Sequence, residues 1–195
     1  MSAAPHPGPE LVTTGSDIVY QNRWMTVRED QTLRDDGRTG IFGIVEKPDF
    51  ALIVPYVDGG FYIVEQYRYP VRGRYWEFPQ GSWEEKPDAD PLELARGELA
   101  EETGIEAASL VRIGHLFEAY GYSNQGFHVI LATELTQGEA SIEDSEKGLI
   151  SRWASEAEVW DLIESGAFKD APSIAALALF GRHRGAVDRH RAVGL

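Results

Sequence analysis

Three glutamates at short, regular spacing are the residues of this sequence best suited to chemistry. Glu98, Glu101 and Glu102 are separated by three and four positions, so a helix would place their carboxylates on one face. Like charges at this spacing repel each other and weaken a bare helix, which favours a divalent cation that neutralises them. Hard oxygen ligands suit Mg²⁺ or Mn²⁺. The alternative is a solvated acidic face without a ligand, as most charge runs are.

The residues around these glutamates predict a helix from Asp90 to Thr103. Asp90 is a good N-cap, and Pro91 follows at the first helical position, where no backbone N–H is needed. Glu93 stands three residues after Asp90, at the capping-box position. Gly104 supplies the left-handed residue that ends a helix. The side chains expected to face a sheet are Leu92, Ala95 and Leu99.

The stretch Gly81–Ile105 resembles the Nudix box, G-x5-E-x7-R-E-U-x-E-E-x-G-U, in which U is a bulky apolar residue. Residues 98–105, ELAEETGI, match the second half of the box at every position, and Gly81 matches its opening glycine. There are two departures. The stretch between the two glycines is two residues longer than in the box, and Gly97 replaces the box arginine, with Arg96 one position earlier.

The resemblance implies a Nudix fold of the α+β class, in which a mixed sheet lies between helices. It also implies a metal-dependent hydrolase. The implied metal ligands are the Gln80 backbone carbonyl, Glu98, Glu101 and Glu102, and the implied catalytic residues include Glu101 and Glu102. The first box glutamate stays open between Glu85, Asp88 and Glu93.

The acidic segment Gln137–Gly148 is the expected source of one more catalytic carboxylate. In similar enzymes a loop here brings a glutamate over the metals as base or extra ligand. Glu146 is the candidate for this role, with Glu143 as the second choice. The alternative is an acidic loop that takes no part in the reaction.

Two residues outside the box are expected to bind substrate. Arg68 belongs to the run Glu65–Pro70, EQYRYP, and in similar enzymes this arginine holds the diphosphate. A guanidinium fork suits a phosphate because it is always charged and bidentate, whereas the alternative is an ion pair with Glu65 or another acid. Trp24 is the ring that the N-terminal region would lend to the base pocket, unless it is a packing residue.

Tyr120 bears on which nucleotide is the substrate. ADP-ribose pyrophosphatases carry a marker proline in the segment that resembles Glu118–Gly126, and this chain has Tyr120 there, with Gln125 in place of a glutamate. A tyrosine downstream of the box marks dinucleoside-polyphosphate enzymes. Tyr120 is therefore a third candidate for substrate binding, and it adds dinucleoside polyphosphates as a second possible substrate class.

Composition narrows the possible partners. The net charge of −14 argues against nucleic acid or an anionic membrane as a partner. The absence of cysteine excludes disulfides, zinc–thiolate sites and cysteine nucleophiles. No apolar run reaches the roughly 18 residues of a membrane span, and the first ten residues lack the apolar region of a signal peptide. A cytoplasmic protein is expected.

Four regions are predicted along the chain. Residues 1–15 form a flexible tail, and 16–50 form a small antiparallel sheet that includes the alternating stretch 18–33, a DDG turn and a returning strand. Residues 51–184 form the Nudix hydrolase domain, and 185–195 form a frayed end. Because a small sheet leaves open edges, and because similar enzymes dimerise through this region, we expect a homodimer.

These features together predict hydrolysis of the diphosphate in a nucleoside diphosphate that is linked to another group. ADP-ribose or a related nucleotide sugar is the first substrate expected, on the resemblance of the N-terminal region, the run at 65–70 and the segment at 170–177. The alternatives are a dinucleoside polyphosphate hydrolase and a non-catalytic Nudix domain that senses a nucleotide.

Overall fold

The structure is a computed structural model that describes residues 11–83, 85–86, 88–138 and 148–193. The chain divides into two compact units. One unit comprises the chain up to Lys47 together with Ala119–Gln125, and the other comprises Pro48–Glu118 and the chain from Gly126 onwards. No helix in these described ranges is long and apolar enough to cross a membrane.

The first unit is built on a three-stranded antiparallel sheet in the order β1-β2-β3, which confirms the small N-terminal sheet. Its strands are β1 (Leu11–Gln21), β2 (Thr26–Arg34) and β3 (Thr39–Glu46). The predicted tail was too long, because β1 begins at Leu11. The stretch 18–33 also holds a chain reversal, in which the Asn22 side-chain oxygen accepts the N–H groups of Trp24 and Met25, both at 2.9 Å.

The segment Ala119–Gln125 belongs to this first unit through Val45 on β3. The Val45 N–H donates to the Tyr122 carbonyl at 2.8 Å, and the Val45 carbonyl accepts from the Asn124 N–H at 3.2 Å. The Ser123 hydroxyl donates to the same carbonyl at 2.9 Å. A segment far along the chain thus extends the N-terminal unit.

The second unit is built on a mixed sheet in the order β10-β5-β4-β9-β8, with β6 paired to β5 and β7 to β4. The strands β4 and β9 run parallel, and the other pairs are antiparallel. The bounds are β4 (Phe50–Val57), β5 (Gly60–Arg68), β6 (Gly73–Glu77), β7 (Gln80–Gly81), β8 (Ile105–Phe117), β9 (Gly126–Gln137) and β10 (Ile150–Ser155).

In the described part of the chain, the second unit also contains three α-helices, α1 (Pro91–Thr103), α2 (Glu156–Glu164) and α3 (Ala171–Val193), and a short 3₁₀ helix at Tyr69–Val71. α1 begins at the predicted cap, since Asp90 accepts the Leu92 N–H at 2.8 Å. α2 begins after Ser155, whose hydroxyl accepts the Glu158 N–H at 3.1 Å. α3 continues to Val193, past the predicted domain boundary at residue 184.

Alternate residues of the buried strand β4 fill two separate cores, which places helices on both faces of the sheet. Ala51 and Ile53 pack with Leu94, Ala95 and Leu99 of α1. The other core holds Phe50, Leu52 and Val54 with residues of α3, including Ala176, Leu177 and Phe180. This arrangement confirms the predicted α+β fold with a mixed sheet between helices, and it confirms that Leu92, Ala95 and Leu99 face the sheet.

Candidate active site

The helix α1 presents two buried carboxylates to the short strand β7. Glu98 is 8% exposed and Glu102 is 1% exposed, while Glu101 on the same helix is half-buried. Gly104 ends the helix in the left-handed conformation, with φ of 69°. Because its cap residues hold the helix at both ends, the direction of these carboxylates is fixed by local structure.

The short strand β7 brings its backbone against both buried glutamates. The Gln80 N–H donates to Glu102 Oε2 at 3.2 Å. A Cβ added at Gly81 would lie only 2.3 Å from Glu98 Oε2, so this position has room for glycine alone while the carboxylate stays in place. The predicted metal ligands Gln80, Glu98 and Glu102 therefore lie together, as the box resemblance implied.

This group has the chemistry of a site for a hard divalent cation. Its donors are carboxylate oxygens and a backbone carbonyl, which are the ligands that Mg²⁺ and Mn²⁺ prefer. Two buried carboxylates on adjacent helical turns are costly without a compensating charge. The residues present therefore fit such an ion, with Glu98 and Glu102 as its principal holders.

Arg68 forms a forked ion pair with Glu77, which is only 2% exposed. Arg68 Nε lies 3.1 Å from Glu77 Oε2, and its Nη2 donates to Oε1. Gln66 Nε2 donates to the same Oε1 at 2.8 Å. The partner of Arg68 is thus a buried acid, whereas Glu65 pairs with Arg74 at 2.8 Å.

Burial and pairing act in opposite directions on these two charges. Burial raises the pKa of Glu77 above its ordinary value, although Arg68 counteracts part of this effect. Burial opposes the charge on Arg68, but Glu77, with smaller contributions from Asp170 and Glu102, leaves the pKa of Arg68 raised. The guanidinium is therefore permanently charged, and its side chain remains 40% exposed.

The start of α3 is tied to the same region by Asp170. Gln80 Nε2 donates to Asp170 Oδ2 at 3.2 Å. The same oxygen accepts the Ser173 N–H at 2.9 Å and the Ser173 hydroxyl at 2.6 Å, and Ser173 Oγ accepts the Phe78 N–H at 2.9 Å. Asp170 and Ser173 thereby fix the chain that leads into the box.

Sequence reasoning missed Glu77, Asp170 and Ser173 as parts of the site. The sequence did contain a signal for Glu77. It is a charged residue in the largely apolar stretch WEFPQG, residues 76–81, which leads into the box, and a charge needs a partner when its strand is buried. Asp170 and Ser173 belong to the segment at 170–177, which the sequence indicated only by its resemblance to similar enzymes. Their contacts with Gln80 and Phe78 depend on how α3 packs and leave no local trace.

The departure at Gly97 has a packing explanation. A Cβ added at Gly97 would meet the Trp83 ring at 2.6 Å, so Trp83 occupies the space beside this helical position. Arg96 donates from Nη1 to the Ala107 carbonyl at 2.9 Å and so ties α1 to β8. In this chain the arginine is thus anchored on the neighbouring strand.

The remaining predicted site residues are in other parts of the chain. Trp24 and Tyr120 both belong to the first unit. Trp24 is 49% exposed, with the Arg23 guanidinium 4.2 Å from its ring centroid, so it is not a core packing residue of that unit. Tyr120 is 84% exposed. Glu143 and Glu146 lie outside the described residues.

Comparison with known proteins agrees with this geometry. The NUDIX domain family matches residues 47–177, and a family described as the nucleoside diphosphate sugar hydrolase N-terminal domain matches residues 12–45. Nudix hydrolases generally use a divalent metal.

Two relatives of known activity cover most of the chain. An ADP-ribose pyrophosphatase of Mycobacterium tuberculosis is 28% identical over 170 residues, which is 86% of this chain and 82% of that protein. An ADP-ribose pyrophosphatase of Bacillus subtilis is 26% identical over 170 residues, which is 86% of this chain and 91% of that protein. A crystal structure of an ADP compounds hydrolase superposes with a TM-score of 0.82 at 22% identity, covering 95% of this chain and 100% of that one; this likeness shows the fold.

Proposed function

The chain belongs to the Nudix hydrolase family, and we propose that it cleaves the diphosphate of a nucleoside diphosphate linked to another group, with ADP-ribose as the first substrate. The observation that carries the proposal is the convergence of Glu98 and Glu102 on Gln80 and Gly81 of the short strand β7. The similarity to two ADP-ribose pyrophosphatases supports the choice of substrate.

Glu98, Glu102 and the Gln80 carbonyl would hold Mg²⁺, with Mn²⁺ as a substitute and Glu101 as a further ligand or as an acceptor that orients the others. When bound, the ion neutralises the diphosphate and lowers the pKa of water that attacks phosphorus. Hydrolysis breaks one P–O bond of the diphosphate and adds the elements of water, so that two monophosphates form. Glu146 remains the proposed loop carboxylate.

Arg68 is the proposed holder of the phosphate that is not attacked. Glu77 and Gln66 fix the direction of its guanidinium, because two of its N–H groups point at the buried carboxylate. A guanidinium has five N–H donors, so donors remain for a phosphate. Trp24 is proposed to contact the base, since its ring is exposed and aromatic faces stack on bases.

The test is a side-by-side assay of ADP-ribose and diadenosine polyphosphates at equal Mg²⁺, with released monophosphate as the readout. The proposal expects ADP-ribose to be cleaved well, with release of AMP and ribose 5-phosphate. A preference of tenfold or more in kcat/KM for the diadenosine compounds, about 1.4 kcal/mol, would show that dinucleoside polyphosphates and not ADP-ribose are the substrate class. If no nucleotide released monophosphate, the remaining function would be that of a non-catalytic domain that senses a nucleotide.

The second candidate, a dinucleoside polyphosphate hydrolase, is favoured by the exposed Tyr120. A second base could stack on this ring, and an aromatic pair contributes about 0.5–1.5 kcal/mol. Tyr120→Ala separates the two functions. ADP-ribose cleavage should fall little, whereas diadenosine polyphosphate cleavage should fall about tenfold if Tyr120 holds the second base.

We further propose a homodimer formed through the N-terminal sheet, a cytoplasmic location and no nucleic-acid partner. Large apolar side chains on this sheet are exposed in the single chain, which is typical of an interaction surface. They are Val12, Ile18, Val19, Tyr20, Leu33, Ile41 and Phe42. Pairing of two copies would cover them and the open sheet edges.

Light scattering at micromolar concentration tests the dimer. A particle of twice 21.7 kDa is expected, and Ile41→Asp, at a position that is 66% exposed, should reduce it to a monomer. Val111→Asp is the matched control, since Val111 is also exposed but lies on β8 of the other unit. A wild-type monomer would disprove this part of the proposal.

A further inference from the structure

Three adjacent strands bring Asp49, His115 and His128 together away from the box residues. His115 on β8 and His128 on β9 are directly opposite each other in the antiparallel pair. Asp49 immediately precedes β4, whose first residue Phe50 pairs with Phe127, next to His128. Because β9 lies between β4 and β8 in the sheet, residues far apart in sequence meet here at one place.

The donor atoms of this group are close enough to share one ion. The Nε2 of His115 lies 2.8 Å from Asp49 Oδ2, and the Nε2 of His128 lies 3.7 Å from the same oxygen. One ligand atom from each residue lies within 4.8 Å of the others. Zinc–ligand bonds of about 2.0–2.1 Å in a tetrahedron put neighbouring ligand atoms roughly 3.3 Å apart, a value between the two measured separations.

The backbone holds the carboxylate and keeps space open beside it. Asp49 Oδ1 accepts the Gly126 N–H at 2.8 Å, so Oδ2 is left facing the two imidazoles. A Cβ at Gly126 would lie 2.5 Å from His115 Nε2, so a larger residue there would push this ring away. The three side chains are 39%, 37% and 18% exposed for Asp49, His115 and His128, which leaves access from solvent.

We propose that Asp49, His115 and His128 form a second metal site, for a first-row transition dication such as Zn²⁺. Two imidazole nitrogens and one carboxylate suit Zn²⁺ and its neighbours, whereas Mg²⁺ prefers oxygen ligands. The site shares no residue with the carboxylate group of α1 and does not depend on the proposed function. A bound ion would join β4, β8 and β9 and leave at least one position for water.

The experiment measures Zn²⁺ bound to the full chain by equilibrium dialysis with excess Mg²⁺ present. The host is the Glu98→Gln/Glu102→Gln double variant, because Zn²⁺ also binds carboxylates. One Zn²⁺ per chain is expected. Adding His115→Ala or Asp49→Asn should weaken Zn²⁺ binding at least tenfold, since mutation of even an outer-shell partner of a ligand typically lowers metal affinity about 10- to 100-fold.

His183→Ala is the matched control, because His183 lies on α3 outside the group, and it should retain the ion. Asp49→Asn keeps an acceptor for the Gly126 N–H, and His115 is partly exposed, so both variants should fold; circular dichroism checks this. Zn²⁺ should also raise the melting temperature of the double variant but not of its His115→Ala form. Failure of the double variant to bind Zn²⁺, or equal binding by the His115→Ala form, would overturn the site.

Discussion

The backbone N–H of Gln80 donates to the side chain of Glu102 at 3.2 Å, although the two residues are 22 positions apart. This bond joins β7 to the last turn of α1. It holds the backbone of Gln80 against a buried carboxylate. The contact depends on β7 and α1 and not on the length of the loop between them.

Glu102→Gln should abolish turnover while the fold stays intact. The amide oxygen can still accept the Gln80 N–H, but one negative ligand is lost, and metal catalysis supplies several kcal/mol of transition-state stabilisation. The metal-free protein should melt at the same temperature or slightly higher, since a like-charge repulsion is relieved. Steady-state kinetics and a thermal melt measure both effects.

The control for this variant is Glu106→Gln, at an exposed position just after the helix, which should change neither rate nor melting. Retention of more than about a tenth of the wild-type rate by the Glu102 variant, a loss below 1.4 kcal/mol, would show that α1 is not the metal site.

Gly81→Ala should weaken Mg²⁺ binding at least tenfold. The added Cβ would lie 2.3 Å from Glu98 Oε2 and 2.6 Å from its carboxyl carbon, so the carboxylate must move. Gly43→Ala is the control, since its Cβ would meet nothing within 4 Å. The dependence of rate on Mg²⁺ concentration gives the apparent affinity, and an unchanged value for Gly81→Ala would contradict the described position of Glu98.

Arg68→Gln should lower stability in a pH-dependent way. Burial raises the pKa of Glu77 above its ordinary value of 4.5, and loss of Arg68 raises it further. A carboxyl group whose pKa is higher in the folded state stabilises the fold at pH values below its unfolded-state pKa. This stabilisation is lost as pH rises through its folded-state pKa. The destabilisation should therefore be largest at neutral pH, about 1–3 kcal/mol for a buried acceptor left unsatisfied, and smallest near pH 4.5.

Urea unfolding at several pH values measures this dependence. Arg74→Gln removes the exposed pair with Glu65 and is the control; it should cost at most about 1 kcal/mol without the same pH trend. Equal losses for Arg68→Gln at acid and neutral pH would show that Glu77 is not the charge left unpaired.

Gly97→Arg, which restores the box residue, should destabilise this protein. Its Cβ would lie 2.6 Å from the Trp83 ring, and overpacking of this kind costs about 1–3 kcal/mol. In a Trp83→Ala background the same substitution should cost clearly less, because the space is then free. Chemical denaturation of the four proteins in this double-mutant cycle gives the coupling energy, and strict additivity would contradict the packing explanation.

The sequence by itself determined the features that rest on local chemistry. Asp90, Pro91 and Gly104 set the ends of α1 because caps act on neighbouring backbone groups. The spacing of Glu98 and Glu102 then put both carboxylates on one helical face. The box resemblance added Gln80 and Gly81, and the alternating stretch 18–33 with the turn after it indicated the small N-terminal sheet.

Only the tertiary structure decided which distant residues meet. Glu77 reaches Arg68 because β6 pairs with β5, and Asp170 reaches Gln80 because α3 packs against the sheet. The segment that carries Tyr120 belongs with the N-terminal unit because Tyr122 and Asn124 form hydrogen bonds with Val45. Asp49, His115 and His128 meet because β9 lies between β4 and β8. Strand order and packing are non-local properties, since they depend on how the whole apolar surface is buried, and no short stretch of sequence records them.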